Sequence, residues 1–141
     1  MADAPRLLGY AVATTGHTTI YACPTRTDGP SALSGMRPRV VTLVRSLVVC
    51  NRHTAPVTFT IRMIPDSTVA AGGTGLTPGV GHDLFHTVPI GTSETKVISP
   101  GIFLNQGNEN ADGTVIHSDY LTVQASVATV VNFFVFGVET T

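Results

Sequence analysis

The stretch Arg39-Val40-Val41-Thr42-Leu43-Val44-Arg45-Ser46-Leu47-Val48-Val49-Cys50-Asn51 decides the fold class. Val41, Leu43, Leu47 and Val49 share one parity, and Val40, Val44, Val48 and Cys50 share the other. Alternate residues of a strand face opposite sides, so both faces of this segment are apolar, which predicts a strand inside a sandwich or against a partner. β-Branched side chains are stiff at χ1 and suit a pleated surface, and no helical period is sustained over three turns anywhere in the chain.

Outward from this strand, Arg52-His53-Thr54-Ala55-Pro56 is a short connection, after which Val57, Phe59, Ile61 and Met63 alternate with Thr58, Thr60 and Arg62. That pattern predicts a hairpin with one wet face. Two further pairs follow, residues 82–88 with 92–98 across Pro89-Ile90-Gly91, and residues 119–125 with 130–138. In the last of these Phe134, Phe136 and Val138 share a face with Val130, while Phe133 and Val135 occupy the other. Most phenylalanines fall at strand positions expected to be core. With residues 16–23 and 102–104 added, the chain reads as an all-β, antiparallel β-sandwich, jelly-roll-like, of about seven or eight strands.

Three segments read as long loops: 24–38, 65–81 and 105–114, rich in Pro, Gly, Ser, Thr and Asn. Loops of this length in a compact domain are usually functional or ordered by a partner. A chain of 141 residues fits one core, and the expectation is an N-terminal arm over residues 1–10 followed by a single domain over residues 11–141. A domain of this size buries roughly 70% of its unfolded surface and needs no cofactor to fold.

Charged residues are 12% of the chain, against about 25% in an average soluble domain, and the mean hydropathy is +0.27. The polar surface is therefore built from Thr, Ser, Asn and Gly, a neutral exterior suited to packing against neighbours. A net charge of −1 argues against a nucleic-acid partner, which would demand an excess of base. Seven of the eight cations are arginine, Lys96 being the only lysine, a bias closer to interface composition than to a solubilising surface. No signal-like start and no apolar run of roughly 18 residues is found, so synthesis in a cytoplasm and no membrane partner are expected. Cys23 and Cys50 are then expected to remain thiols.

His82, Asp83 and His86 invite a metal reading, but on a strand the two histidines stand about 13 Å apart, too far to share one ion. Asn108-Glu109-Asn110-Ala111-Asp112-Gly113, with Asp119 at the twelfth place, follows a calcium loop with Asn in the leading position. Asn108, Asn110, Asp112 and Asp119 are thus the candidate ligands, against the plainer reading of a polar turn without flanking helices. No nucleophile elbow, phosphate loop or zincin motif occurs, and no catalytic residues are assigned. The absence of Trp disfavours a sugar platform.

The blocks Thr18-Thr19-Ile20-Tyr21-Ala22-Cys23-Pro24, Val44-Arg45-Ser46-Leu47-Val48-Val49-Cys50-Asn51-Arg52 with Thr58-Phe59-Thr60-Ile61-Arg62, and Asp119-Tyr120-Leu121-Thr122-Val123-Gln124-Ala125-Ser126 with Asn132-Phe133-Phe134-Val135-Phe136-Gly137-Val138-Glu139 resemble small β-sandwich structural proteins of tailed bacteriophage virions. The segment between Pro24 and Arg39 departs from that pattern, which usually has a brief turn there. The resemblance implies a non-enzymatic virion component, assembled in the host cytoplasm. The favoured form is a decoration (cement) protein on the head surface that bridges capsomers, with the major capsid protein and copies of itself, as a homotrimer, for partners. A tail, neck or baseplate component and a receptor- or glycan-binding module are the alternatives. Arg6, Arg37, Arg39 and Arg45 are the candidate partner contacts.

Overall fold

The computed structural model describes residues 4–24, 40–64, 83–105 and 118–140. Nine strands run through them: β1 (Arg6–Val12), β2 (Thr18–Ala22), β3 (Val41–Asn51), β4 (Val57–Ile64), β5 (Asp83–Ile90), β6 (Thr95–Ile98), β7 (Ile102–Asn105), β8 (Tyr120–Ala125) and β9 (Val131–Thr140). Among the described residues there is no helix. One sheet has the order β1-β9-β3-β6, with β7 also paired to β3; the other has the order β2-β8-β4-β5. All pairings are antiparallel. The expected all-β sandwich is what the chain forms.

Its core lies between the two sheets. Val44, Leu47, Val49, Phe133 and Val135 point inward from the five-stranded sheet, and Phe59, Ile61, Leu121 and Val123 from the four-stranded one. Phe59 and Phe133 meet edge-to-face across the gap, with centroids 5.8 Å apart at 76°, the arrangement that the ring quadrupoles favour.

The expected hairpins are not formed. β3 and β4 belong to different sheets, as do β5 and β6, and β8 and β9. Each short connection is an arch across the sandwich. The parity pattern of two strands is the same whether they lie side by side or face to face, and five residues such as Arg52–Pro56 easily span the ~10 Å between stacked sheets. A second correction concerns the amino terminus. From Arg6 onward the expected arm is strand β1, paired along its length with β9.

The third correction concerns the deciding strand. Its register on β9 shifts between Val44 and Ser46, so Arg45 is the extra residue of a β-bulge and is exposed. Thr42 and Val44 face inward before the bulge, and Leu47, Val49 and Asn51 after it. The doubly apolar parity thus arises partly from a strand that changes phase.

Local devices hold this arrangement. Asn51 is fully buried. Its side-chain amide donates to the carbonyls of Ala55 at 3.0 Å and Gly91 at 2.9 Å, and its Oδ1 accepts from the His53 amide at 2.8 Å. One side chain thereby ties the β3–β4 arch to the β5–β6 arch. Gly137 faces the bulged region of β3, where an added Cβ would collide with the Leu43 carbonyl oxygen. Two residues on, Glu139 turns inward. Its carboxylate takes the Tyr21 hydroxyl at 2.7 Å and the Arg6 guanidinium, while Tyr21 Oη also lies 2.8 Å from Thr42 Oγ1. Burial, together with the neighbouring carboxylate, raises the Tyr21 pKa far above the phenol value and keeps the hydroxyl a donor. The blocks Ile20-Tyr21-Ala22-Cys23, Cys50-Asn51-Arg52 and Phe136-Gly137-Val138-Glu139 are therefore pins between sheets and strands.

Candidate association surface

The outer face of the five-stranded sheet is the unusual surface of this molecule. Directly paired residues of an antiparallel sheet point to the same side, so the registers define rows. Tyr10, Phe134, Val48 and Val97 form one row that crosses all four strands β1, β9, β3 and β6. Leu7, Phe136 and Ser46 form a second, and Val138, Leu43 and Phe103 a third. Val12, Asn132, Cys50 and Thr95 close the array with a more polar row. None of these side chains is charged.

The face is open. Tyr10 is 67% exposed, Val97 68%, Phe103 58% and Leu7 50%. Tyr10 stacks on Phe134 with centroids 6.2 Å apart and planes at 21°, so the aromatic edge of the patch is already ordered. With Val12 these residues offer on the order of 600 Å² of apolar surface, at the upper end of what a soluble monomer leaves exposed. Of the six phenylalanines only Phe59 and Phe133 are fully buried; the expectation that most would be core is corrected by Phe103, Phe134 and Phe136 on this face.

The opposite outer face is polar. Asp83, Arg62, Thr122 and Thr19 form a row across the four-stranded sheet, and Thr60 pairs with Gln124 beside it. Arg62 Nε donates to Asp83 Oδ1 at 2.5 Å, and His86 Nδ1 lies 2.6 Å from Asp83 Oδ2. The hydrogen bond from Arg62, with a further contribution from His86, holds the Asp83 carboxyl below the usual carboxylate range. Burial, reinforced by the Arg62 charge, lowers the His17 pKa. Three atoms here are closed off from solvent without a hydrogen-bond partner: His17 Nδ1, Arg62 Nη1 and Thr122 Oγ1. A groove of about 240 Å³ runs alongside, lined by Thr58, Thr60, His86, Thr87, Gln124 and Ser126. It is smaller than the roughly 300 Å³ at which small-molecule sites begin.

The sequence-derived candidates fall in different places. Arg6 opens β1 and pairs with Glu139. Arg45 is the exposed residue at the bulge, next to Ser46 of the second row. Arg37 and Arg39 lie outside the described residues, as do Asn108, Asn110 and Asp112 of the calcium loop and His82. Asp119 is buried, and its Oδ2 accepts the Asn105 backbone amide at 2.9 Å. Among the described residues no group of three or more His, Cys, Asp or Glu could hold a metal ion. Cys23 and Cys50 are free thiols, Cys23 in the core and Cys50 on the outer row; burial raises the Cys23 pKa. No helix of the described residues is long and apolar enough to cross a membrane.

The arginine candidates and the surface that stands out chemically are thus different sets, with Arg45 at their junction. The signal for the rows was in the sequence as the second apolar parity of β3 and β9. It could not be turned into rows without the register.

Comparison of the chain with protein-family models, with curated proteins and with solved structures finds no match.

Proposed function

We propose that this chain is a non-catalytic structural protein that acts by stoichiometric assembly, and that its setting is the head surface of a tailed phage, where it decorates the capsid. The observation that carries the reading is the open, uncharged, row-ordered apolar face of the five-stranded sheet. A surface of this kind gains free energy only when another surface covers it. Two clusters of titratable side chains among the described residues, Arg6 with Glu139 and Arg62 with Asp83 and His86, are engaged with one another. The exposed aromatics sit among Val48, Val97 and Leu7, without the convergent polar groups a sugar site adds to its platform. The phage setting rests on the sequence blocks quoted above.

Quantitative mass spectrometry of purified particles, with the major capsid protein as internal standard, tests this. Hundreds of copies per particle are expected for a head-lattice protein. A few to a few dozen would move the protein to the tail or neck, and absence from particles overturns the virion reading.

A further inference from the structure

The face just described has a shape and a chemistry that select its occupant. We infer that it packs against the same face of a second copy of this chain, sheet on sheet, in a two-fold dimer. The inference rests on the assembly reading of this face and adds the partner to it.

Charge is the first argument. The rows Tyr10-Phe134-Val48-Val97, Leu7-Phe136-Ser46 and Val138-Leu43-Phe103 hold no ionised group, so a charged partner surface would be desolvated there with nothing to pair. An identical face brings no charge in its rows either, only the Arg45 that stands between two of them, and a chain of net charge −1 repels its copy only weakly. Area is the second. The most exposed residues together with the partly exposed Phe134, Phe136, Val48 and Leu43 approach the ~800 Å² that each partner contributes to a stable interface. Shape is the third. A sheet face is a twisted, pleated surface, and two such faces stack about 10 Å apart with side chains interdigitated, as the two sheets already do inside this molecule.

Symmetry then fixes the number. A patch that is its own complement makes an isologous contact, which closes with two copies, whereas a trimer needs two different patches on each copy. The homotrimer expected from the resemblance is not what this face would build. The more polar row of Val12, Asn132, Cys50 and Thr95 would lie toward the rim, where interfaces are polar, whereas Arg45, between Leu43 and Ser46 on β3, must extend its long side chain out of the contact to keep its guanidinium hydrated.

The test is sedimentation equilibrium of the full chain over a dilution series, for the wild type, Val97→Asp, Tyr10→Ser and, as a control on the other sheet, Thr19→Asp. The wild type is expected as a dimer with a dissociation constant in the micromolar range or below. Val97→Asp and Tyr10→Ser each weaken it at least ~10-fold, and Thr19→Asp leaves it unchanged. Far-UV circular dichroism checks that each variant is folded; should Val97→Asp fail that check, Tyr10→Ser carries the test alone. A wild type that stays monomeric at the highest concentration reached, forms a trimer, or dimerises with an affinity indifferent to the face variants overturns the inference. Copy number in particles is a separate measurement, so a monomer found at hundreds of copies per head would remove the dimer and leave the assembly reading in place.

Discussion

The two outer faces of this sandwich are built on the same kind of strand and have opposite chemistry. Across the five-stranded sheet the central row is Tyr10, Phe134, Val48 and Val97; across the four-stranded sheet the comparable row is Thr19, Thr122, Arg62 and Asp83. Both sheets bury an apolar inner face in one shared core. The inner faces supply the core, and among the described residues five of the seven large hydrophobics left exposed, Leu7, Tyr10, Val12, Val97 and Phe103, lie on one outer face. The other outer face is polar, with Thr19, Thr60, Thr122 and Gln124 beside the Arg62–Asp83 pair, and Thr60, Arg62 and Thr122 on it are buried.

Four measurements would break or sharpen that contrast. The largest effect is expected from Asn51→Ala, which strips the amide from both arches and leaves the carbonyls of Ala55 and Gly91 and the amide of His53 without their partner. A loss of about 3–4 kcal/mol in urea unfolding is expected. A loss below about 1 kcal/mol would mean that the sheets are held in place by core packing alone.

Thr122→Val should act in the other direction. The Thr122 hydroxyl is buried without a partner, so an isosteric methyl removes an unsatisfied group, and a gain of about 1 kcal/mol is expected by the same method. An unchanged or lower stability would show that the hydroxyl has a bonding role on the polar face.

The third measurement is the pH dependence of the thermal midpoint. His17 has a lowered pKa in the fold, so on acidification the unfolded chain takes up the proton first, and stability falls as pH drops through 6.5, the unperturbed value. Asp83 also has a lowered pKa. Its contribution is present above about pH 4, the unfolded carboxyl value, and is lost as pH falls from there through the folded value. His17→Gln should flatten the first window and leave the second. A wild type with no slope between pH 7 and 5 would contradict the burial of His17, and the uncharged rows of the five-stranded sheet predict no such windows for dimer dissociation.

The smallest effect on folding is expected from Val97→Thr, within about 0.5 kcal/mol, because the side chain is largely exposed in the single chain. A clear loss of folding stability at low protein concentration would place Val97 in a contact within its own copy.

These contrasts also show what the sequence could and could not disclose. Strand positions were legible because β-branched runs punctuated by Gly and Pro carry a local signal; β3, β4, β8 and β9 fall where parity places them. Arches were not legible, since a strand facing Phe59 and a strand beside Phe59 need the same alternation. β1 was missed because Leu7-Leu8-Gly9-Tyr10 has no alternation of its own; its register on β9 shifts between Leu7 and Gly9. At Gly9 an added Cβ would overlap the Ile20 carbonyl oxygen of the other sheet, a demand visible only in three dimensions. The arginines drew attention as interface residues by type, yet Arg6 is taken by Glu139 and Arg62 by Asp83. The rows emerged from residues that each look like ordinary core.

The bulge at Arg45 lets β3 pair in either of two phases: with Arg45 bulged out, as here, or deleted, the same side chains face inward, and with Arg45 drawn into the ladder the opposite set does. Were Arg45 instead paired as an ordinary ladder residue, everything from Ser46 to Asn51 would rotate by half a turn, exchanging Leu47 and Val49 for Val48 and Cys50. Greasiness alone penalises this exchange little, because both sets are apolar and of similar volume. Asn51 penalises it heavily: its amide would point to solvent, and Cys50, in its place, cannot satisfy two carbonyls and an amide at once. A single polar side chain thus acts as a frame marker for a strand that could otherwise be read in two phases, and the same marker determines which set of side chains is hidden and which is left for the second copy.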